Sequence, residues 1–444
     1  MVYSGKIKKM LSKTSPGDEL IVKTCDEELK GVLVERPDYL EGNNLIIKLK
    51  NGYNLGISPE EVLSVKLLKK YKPLKEKKTK STPVKNKPTI SILHTGGTIA
   101  SKVDYRTGGV VSRFTPEEML KTFPKLKNYA NVRSVFMGNM FSDDMRFHHY
   151  KKMTQYILEE IKKGTRGVII THGTDTMAYT SAALSFIFEN LQVPVILVGA
   201  QRSSDRGSSD AESNLMCAVN FILNTDFAGV GVCMHENSSD ETCLIHKGTK
   251  VRKMHSSRRD AFKTVNDEPI ARVNYYNNSI EFLSKNYTKK SSLPVTLRAR
   301  PAMEDKVALL KIHTNMMPEQ ISFYREKKYK GLVIEGTGLG HMPINEPDNI
   351  TKKYHRKIRL ELKKLIQSGC AVVMTSQTIN GMVNMNVYSP GRVMQKMGVI
   401  PGDDMLSETA FIKLAWLLKN APRKQIAVLM RTNMRGEISG SGEK

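Results

Sequence analysis

Beyond residue 88 the chain alternates short apolar runs, which stop at Gly- or Thr-rich turns, with amphipathic stretches of helical period. The runs TISILHT, GVIITHG, VPVILVGA and AGVGVCM read as strands. The stretches 116–121, 150–163, 177–189 and 211–224 read as the helices between them. Strand and helix in alternation predict a parallel sheet covered by helices, an α/β fold. After a polar stretch at 289–301 a shorter series follows, with strands KVALLKIH, GLVIEGT and AVVMTS and helices near 352–367 and 407–419. We therefore expect two parallel-sheet domains, at 88–300 and 301–444.

The first 68 residues have a different texture. ELIVKTC, LKGVLVER, NLIIKLK, NGYNLGI and VLSVKLL are short strands broken by turn residues and predict a small β-barrel domain. From 69 to 87 the chain carries nine lysines and one acid, with Pro73 and Pro83 and almost nothing that could enter a core. That composition describes a solvated linker.

Composition then narrows the function classes. A formal net charge of +25 favours polyanion partners, yet no aromatic-rich RNA-reading motif accompanies it. Five cysteines, odd in number and without a C-x-x-C pair, argue against a disulfide framework or a zinc ribbon and fit a reducing compartment. The start, MVYSGKIKKML, has no apolar signal core, and no apolar run approaches the roughly 20 residues that span a bilayer. The expectation is a soluble, cytoplasmic protein.

Two of the strands run directly into turns of chemical interest, His94-Thr95-Gly96-Gly97-Thr98-Ile99-Ala100 and Thr171-His172-Gly173-Thr174-Asp175-Thr176-Met177. In open parallel sheets ligands bind beyond the carboxyl ends of strands, where such turns lie. Paired glycines let backbones approach closely and let neighbouring hydroxyls point at a ligand, which suits a nucleophile and an oxyanion site. A single turn of this kind is more often only a tight turn.

Taken together, L-x-T-G-G-T-I-A and T-H-G-T-D-T-M resemble the two signatures of the L-asparaginase and glutaminase family. Val198 to Arg202 (V-G-A-Q-R), Ser213-Asn214-Leu215, and Lys253 upstream of Ala261-Phe262-Lys263 continue the resemblance in order. It implies a two-domain, asparaginase-like parallel-sheet amidohydrolase working through a covalent acyl-enzyme, without metal or organic cofactor. By motif, Thr98 matches the nucleophile, while Thr174, Asp175 and Lys253 match the second polar triad. Tyr105, in Asp104-Tyr105-Arg106-Thr107-Gly108-Gly109, matches the tyrosine of the loop that closes over the first threonine. Ser142 and Asp143 fall in the substrate-binding loop. There the family commonly has Ser-Gln-Asp-Met and this chain has Ser142-Asp143-Asp144-Met145, an acid in place of an amide. The chemistry suits these residue types. A threonine hydroxyl needs a neighbouring base, lysine can serve when its pKa is lowered, and Asp175 can anchor a substrate ammonium.

Within that family, the small N-terminal domain, the lysine-rich tether and the basic charge resemble the ammonia-supplying subunits of archaeal tRNA-dependent amidotransferases. The resemblance implies L-glutamine as substrate and a partner subunit that binds the mischarged tRNA and uses ATP and Mg. It also implies a homodimer within a heterotetramer. No P-loop is present in this chain, in keeping with ATP use elsewhere. Three other readings stand beside it: a free-standing L-asparaginase, a dinucleotide-binding enzyme suggested by Gly336-Thr337-Gly338-Leu339-Gly340, and a non-catalytic nucleic-acid-binding protein. The second lacks the G-x-G-x-x-G spacing, and the third leaves the two turns unexplained.

Overall fold

The computed structural model describes residues 3–34, 43–51, 53–71, 84, 86–97, 101–103, 110–112, 121–204 and 207–439. All five N-terminal strands are present: β1 (Glu19–Lys23), β2 (Glu28–Leu33), β3 (Leu45–Leu49), β4 (Asn54–Ile57) and β5 (Ser64–Lys69). They form an antiparallel sheet in the order β4-β3-β2-β1-β5. Period-2 alternation sends Leu20, Val22, Leu33, Leu45 and Ile47 into one core, which Ile7 of the helix Gly5–Met10 completes. The five strands fold over that core as the small N-terminal β domain expected from sequence, with β4 and β5 at the two ends of the strand order. Residues 69–71, read from sequence as linker, belong to this unit: the Lys70 ammonium and the Tyr71 N–H both donate to the Asp18 carboxylate, at 3.1 and 2.9 Å.

From residue 89 the chain forms β6 (Thr89–Gly96), the hairpin of β7 (Ser101–Val103) and β8 (Val110–Ser112), β9 (Asn131–Met140), β10 (Val168–Thr171), β11 (Phe188–Glu189), β12 (Val195–Val198) and β13 (Val230–His235). It continues with β14 (Thr242–Lys247), β15 (Val251–Lys253), β16 (Phe262–Thr264), β17 (Ala271–Asn274), β18 (Ile280–Phe282) and β19 (Arg298–Ala299). Eight of these make one sheet, β18-β17-β14-β13-β12-β10-β6-β9. Its half from β9 to β13 is parallel, as expected, whereas β14, β17 and β18 run antiparallel: short loops join β13 to β14 and β17 to β18, the β15–β16 ribbon lies between β14 and β17, and no crossover helix intervenes. Alternate residues serve different cores: Ile90 and Ile92 pack on one face with the helix Ala211–Asn224, and Leu93, Val168 and Ile170 on the other with Phe147–Lys162 and Met177–Ile187. The helix expected at 177–189 stops at Ile187, and Phe188–Glu189 pairs with β19 instead. The helix expected at 116–121 lies, but for its last residue, outside the described residues.

The second sheet is parallel throughout, in chain order: β20 (Val307–Lys311), β21 (Gly331–Gly336), β22 (Ala371–Ser376) and β23 (Ile400–Pro401). Its helix Asn349–Gln367 is capped by Asp348, whose carboxylate accepts from the N–H groups of Ile350 and Thr351. The helix Ser407–Asn420 is buried over most of its surface: Ala410, Ile412, Leu414, Ala415, Trp416 and Leu417 enter the core that the two sheets share. Among the described residues no helix is long and apolar enough to cross a membrane.

Candidate active site

The site grows from the sheet's connectivity. β6 is flanked by β9, which follows it, on one side and by β10 on the other, so the connections leave in opposite directions. This is a topological switch point, and a crevice opens beyond the carboxyl ends of β6 and β10. The two turns singled out in the sequence occupy those ends, with His94 in register with Thr171.

Their approach is made by backbone. Gly97 has φ +83°, and a β-carbon there would lie 2.5 Å from the Gly173 nitrogen and 2.8 Å from the Gly173 Cα and the His172 carbonyl carbon. Only glycine permits that contact. Across the crevice, Ser142 occupies the space that a β-carbon on Gly173 would claim, 2.9 Å from the Ser142 Cβ. Ser142 is buried on the 3₁₀ turn Ser142–Asp144 that ends β9, and Asp143 beside it is exposed. The Thr176 hydroxyl donates to the Ser142 carbonyl at 2.6 Å, tying the two turns together.

Lys253 arrives from elsewhere. It ends β15, which pairs with β16 in a two-stranded ribbon that places Lys253 opposite Phe262; buried Val251, Ala261 and Phe262 anchor the ribbon. Its ammonium donates to the Thr174 hydroxyl and to the Asp175 carboxylate, both at 2.8 Å. Thr174 is buried and the Lys253 side chain is 13% exposed, while Asp175 is 63% exposed and keeps an oxygen toward solvent. Asp175 does not cap the helix that follows; Thr176 holds that position.

Three of the residues read from sequence thus converge as a contact triad, with Ser142 against the glycine of the same turn. Thr98 and Tyr105 lie outside the described residues. Sequence reasoning missed the supports. The neutral His172 ring can donate from Nδ1 to the Gly173 carbonyl (2.7 Å) and accept at Nε2 from Thr180 (2.9 Å). Complete burial pushes His172 down to about 4 and fixes that neutral form. The Thr95 hydroxyl donates to the Thr171 carbonyl at 2.9 Å, bracing β6 against β10. Both lie inside the motifs, but nothing in their spacing separates a brace from a reacting group. Among the described residues no three His, Cys, Asp or Glu side chains gather to hold a metal.

A crevice at a switch point, a glycine-lined backbone contact and a lysine on a threonine–aspartate pair define an amidohydrolase of the asparaginase type. Three family models match: "Asparaginase, N-terminal" over residues 89–288, "Glutaminase/Asparaginase C-terminal domain" over 306–430 and "GatD N-terminal domain" over 14–68. Among solved structures, the thermostable L-asparaginase from Thermococcus kodakarensis superposes with a TM-score of 0.70 at 28% identity, covering 80% of this chain and 100% of that one. L-asparaginase I from Vibrio cholerae gives 0.68 at 27% identity, covering 80% and 99%. Two relatives extend the likeness over the whole chain. The GatD component of the glutamyl-tRNA(Gln) amidotransferase of Pyrococcus furiosus is 46% identical, covering 93% of this chain and 91% of its own length. That of Methanosphaera stadtmanae is 41% identical, covering 99% and 97%. The chain belongs to this GatD family of glutamyl-tRNA(Gln) amidotransferase components.

Proposed function

We propose that this chain hydrolyses L-glutamine and hands the ammonia to a partner subunit that converts Glu-tRNA(Gln) to Gln-tRNA(Gln). The observation that carries the reading is the Lys253 ammonium on Thr174 and Asp175, in the crevice where Gly97 meets Gly173. Thr98 follows Gly97 directly in the chain. In this reading the Thr98 oxygen attacks the side-chain amide carbon, and its proton passes through Thr174 and Lys253 to the amide nitrogen. A C–O bond forms, the C–N bond breaks and ammonia leaves. Water then attacks the acyl ester, releasing glutamate and restoring the hydroxyl.

Asp175 takes the substrate's α-ammonium with its exposed oxygen while its other oxygen holds Lys253. Asp143, on the turn of buried Ser142, adds a second carboxylate where the family commonly has an amide, and Tyr105 closes the loop over Thr98. ATP and Mg act in the partner, which carries the tRNA, and two copies of this chain pair within a heterotetramer.

The test measures ammonia release from glutamine and from asparagine by the chain alone, with its partner, and with partner and Glu-tRNA(Gln). Slow release alone and faster glutamine hydrolysis in the complex are expected, since an unregulated donor would waste glutamine. A tenfold activation requires only about 1.4 kcal/mol of differential binding to the closed loop. Equal rates in all three, with asparagine preferred, would leave a free-standing asparaginase.

A further inference from the structure

Lys253 is the one member of the contact triad that the large sheet does not hold. Its strand, β15, is three residues long and, among the described residues, pairs as a strand with β16 alone, in a ribbon separate from the eight-stranded sheet. Thr174 and Asp175, by contrast, follow β10 in the middle of that sheet. A lysine ammonium must nonetheless sit 2.8 Å from both.

First-domain contacts hold the start of this segment, where the Ser181 hydroxyl donates to the Gly248 carbonyl at 2.7 Å, and further contacts along residues 249–252 come from the second domain. The Thr409 hydroxyl donates to the Thr249 carbonyl at 2.8 Å. The Lys250 ammonium, with no exposed side-chain surface, donates to the Asp404 carboxylate at 2.6 Å. Arg252 pairs with Glu408 at 3.3 Å. Successive residues of a strand point to opposite faces, so Arg252 clamps one face to Glu408 while Lys253 leaves from the other toward Thr174. All three anchors lie between residues 404 and 409, at the start of the helix Ser407–Asn420, whose remaining surface is locked in the shared core. The other Glu408 oxygen is buried without a hydrogen-bond partner among the described residues, and Arg252 is the cation paired with this carboxylate.

We propose that Asp404, Glu408 and Thr409 are positioning residues for the reaction: the second domain sets the lysine against the first domain's threonine and aspartate. The inference rests on the proposed role of Lys253. None of the three touches the Thr174–Asp175 pair; they act through residues 249–253. A shift of about 1 Å in a reacting group can cost a hundredfold in rate, so loosening one of three anchors should cost about tenfold.

The experiment uses the full chain in its complex, with Glu408→Gln, Thr409→Val, Glu408→Asp and Lys253→Met compared by kcat and KM for glutamine and by thermal melting. Glu408→Gln and Thr409→Val should each lower kcat about tenfold with KM within about twofold and a native-like melt. Glu408→Asp, which keeps the charge, should recover part of the loss. Thr409→Val removes one oxygen at constant shape and keeps the test open should Glu408→Gln fail to fold. Unchanged kcat in a folded variant beside an inactive Lys253→Met would overturn the positioning role alone. Parallel losses in kcat, substrate binding and melting would also overturn it, since a purely structural role predicts them. An active Lys253→Met would instead remove the reading of the active site on which the inference rests.

Discussion

Gly97→Ala tests whether the meeting of the two turns makes the site. The added β-carbon would stand 2.5 Å from the Gly173 nitrogen and 2.8 Å from two further backbone carbons. Ordinary contacts between such atoms are about 3.5 Å, so one turn must retreat by roughly 0.7–1 Å, and no side-chain rotation can relieve it. The φ of +83° adds a left-handed penalty of about 1–2 kcal/mol, and the overpacking about 1–3 kcal/mol. The sum, about 2–5 kcal/mol, lowers the melting temperature by roughly 2–4 °C per kcal/mol. Retreat by that distance should also lower kcat about a hundredfold. Gly164→Ala separates strain from site geometry, because Gly164 has φ +77° and nothing within 4 Å of an added β-carbon. It should lose about 1–2 kcal/mol and keep kcat. Glutamine turnover and melting curves on both variants decide the matter. Near-normal kcat in folded Gly97→Ala, or equal kinetic loss in both variants, would refute the role given to this contact.

Thr98→Val keeps shape and β-branching while removing the proposed nucleophilic oxygen, so glutamine hydrolysis should vanish with melting unchanged; residual normal turnover would exclude Thr98. Deleting residues 1–85 should leave the remainder folded and hydrolytic but impair coupling to the partner, and insoluble product would show that the N-terminal sheet packs integrally. Burial holds His94 and His172 down to about 4 and His246 to about 3, against an ordinary 6.5. They contribute no pH dependence above about 6.5, and below it the unfolded chain takes up protons that the native chain refuses. Stability should therefore fall from about pH 6.5 toward 4, by up to roughly 1.4 kcal/mol per pH unit per histidine; a flat urea midpoint across that range would contradict their burial.

Much of this was legible in sequence because each feature rests on a short-range rule. Strand runs and helical period located the sheets, and the T-G-G-T and T-H-G-T-D turns marked the crevice because ligand sites form at strand ends. Lys253 was found by motif order alone: no periodicity brings residue 253 to 174, and a run containing Arg252, Arg258 and Arg259 reads as surface. The antiparallel edge β14-β17-β18 is not among the strands read from sequence: β17 and β18 are four and three residues long and only partly buried, too short to show an apolar run. The helices Glu319–Glu326 and Ser389–Met397 were too short to register a period. The anchors at 404–409 could not be seen, since their partners lie about 150 residues upstream and every contact is tertiary.

Stability gives no account of Lys253, and that makes it the sharpest remaining test. Its pairing with a largely exposed Asp175 is a surface-type ion pair, worth about 0–1 kcal/mol after screening. Against this stands the desolvation of an ammonium 13% exposed, whose second partner is only a hydroxyl. An unbranched apolar side chain of similar length removes that cost and still packs its stem along the ribbon. Lys253→Met should therefore melt at or above the wild-type temperature while losing on the order of a thousandfold in kcat, the range for removal of a general base. Arg252→Met, which breaks only the clamp to Glu408, should lose about a hundredfold less activity than that. Active sites typically trade stability for chemistry in this way. A Lys253→Met protein that melts several degrees lower and still turns over glutamine would show that the lysine serves the fold, and the catalytic reading of the triad would fail with it.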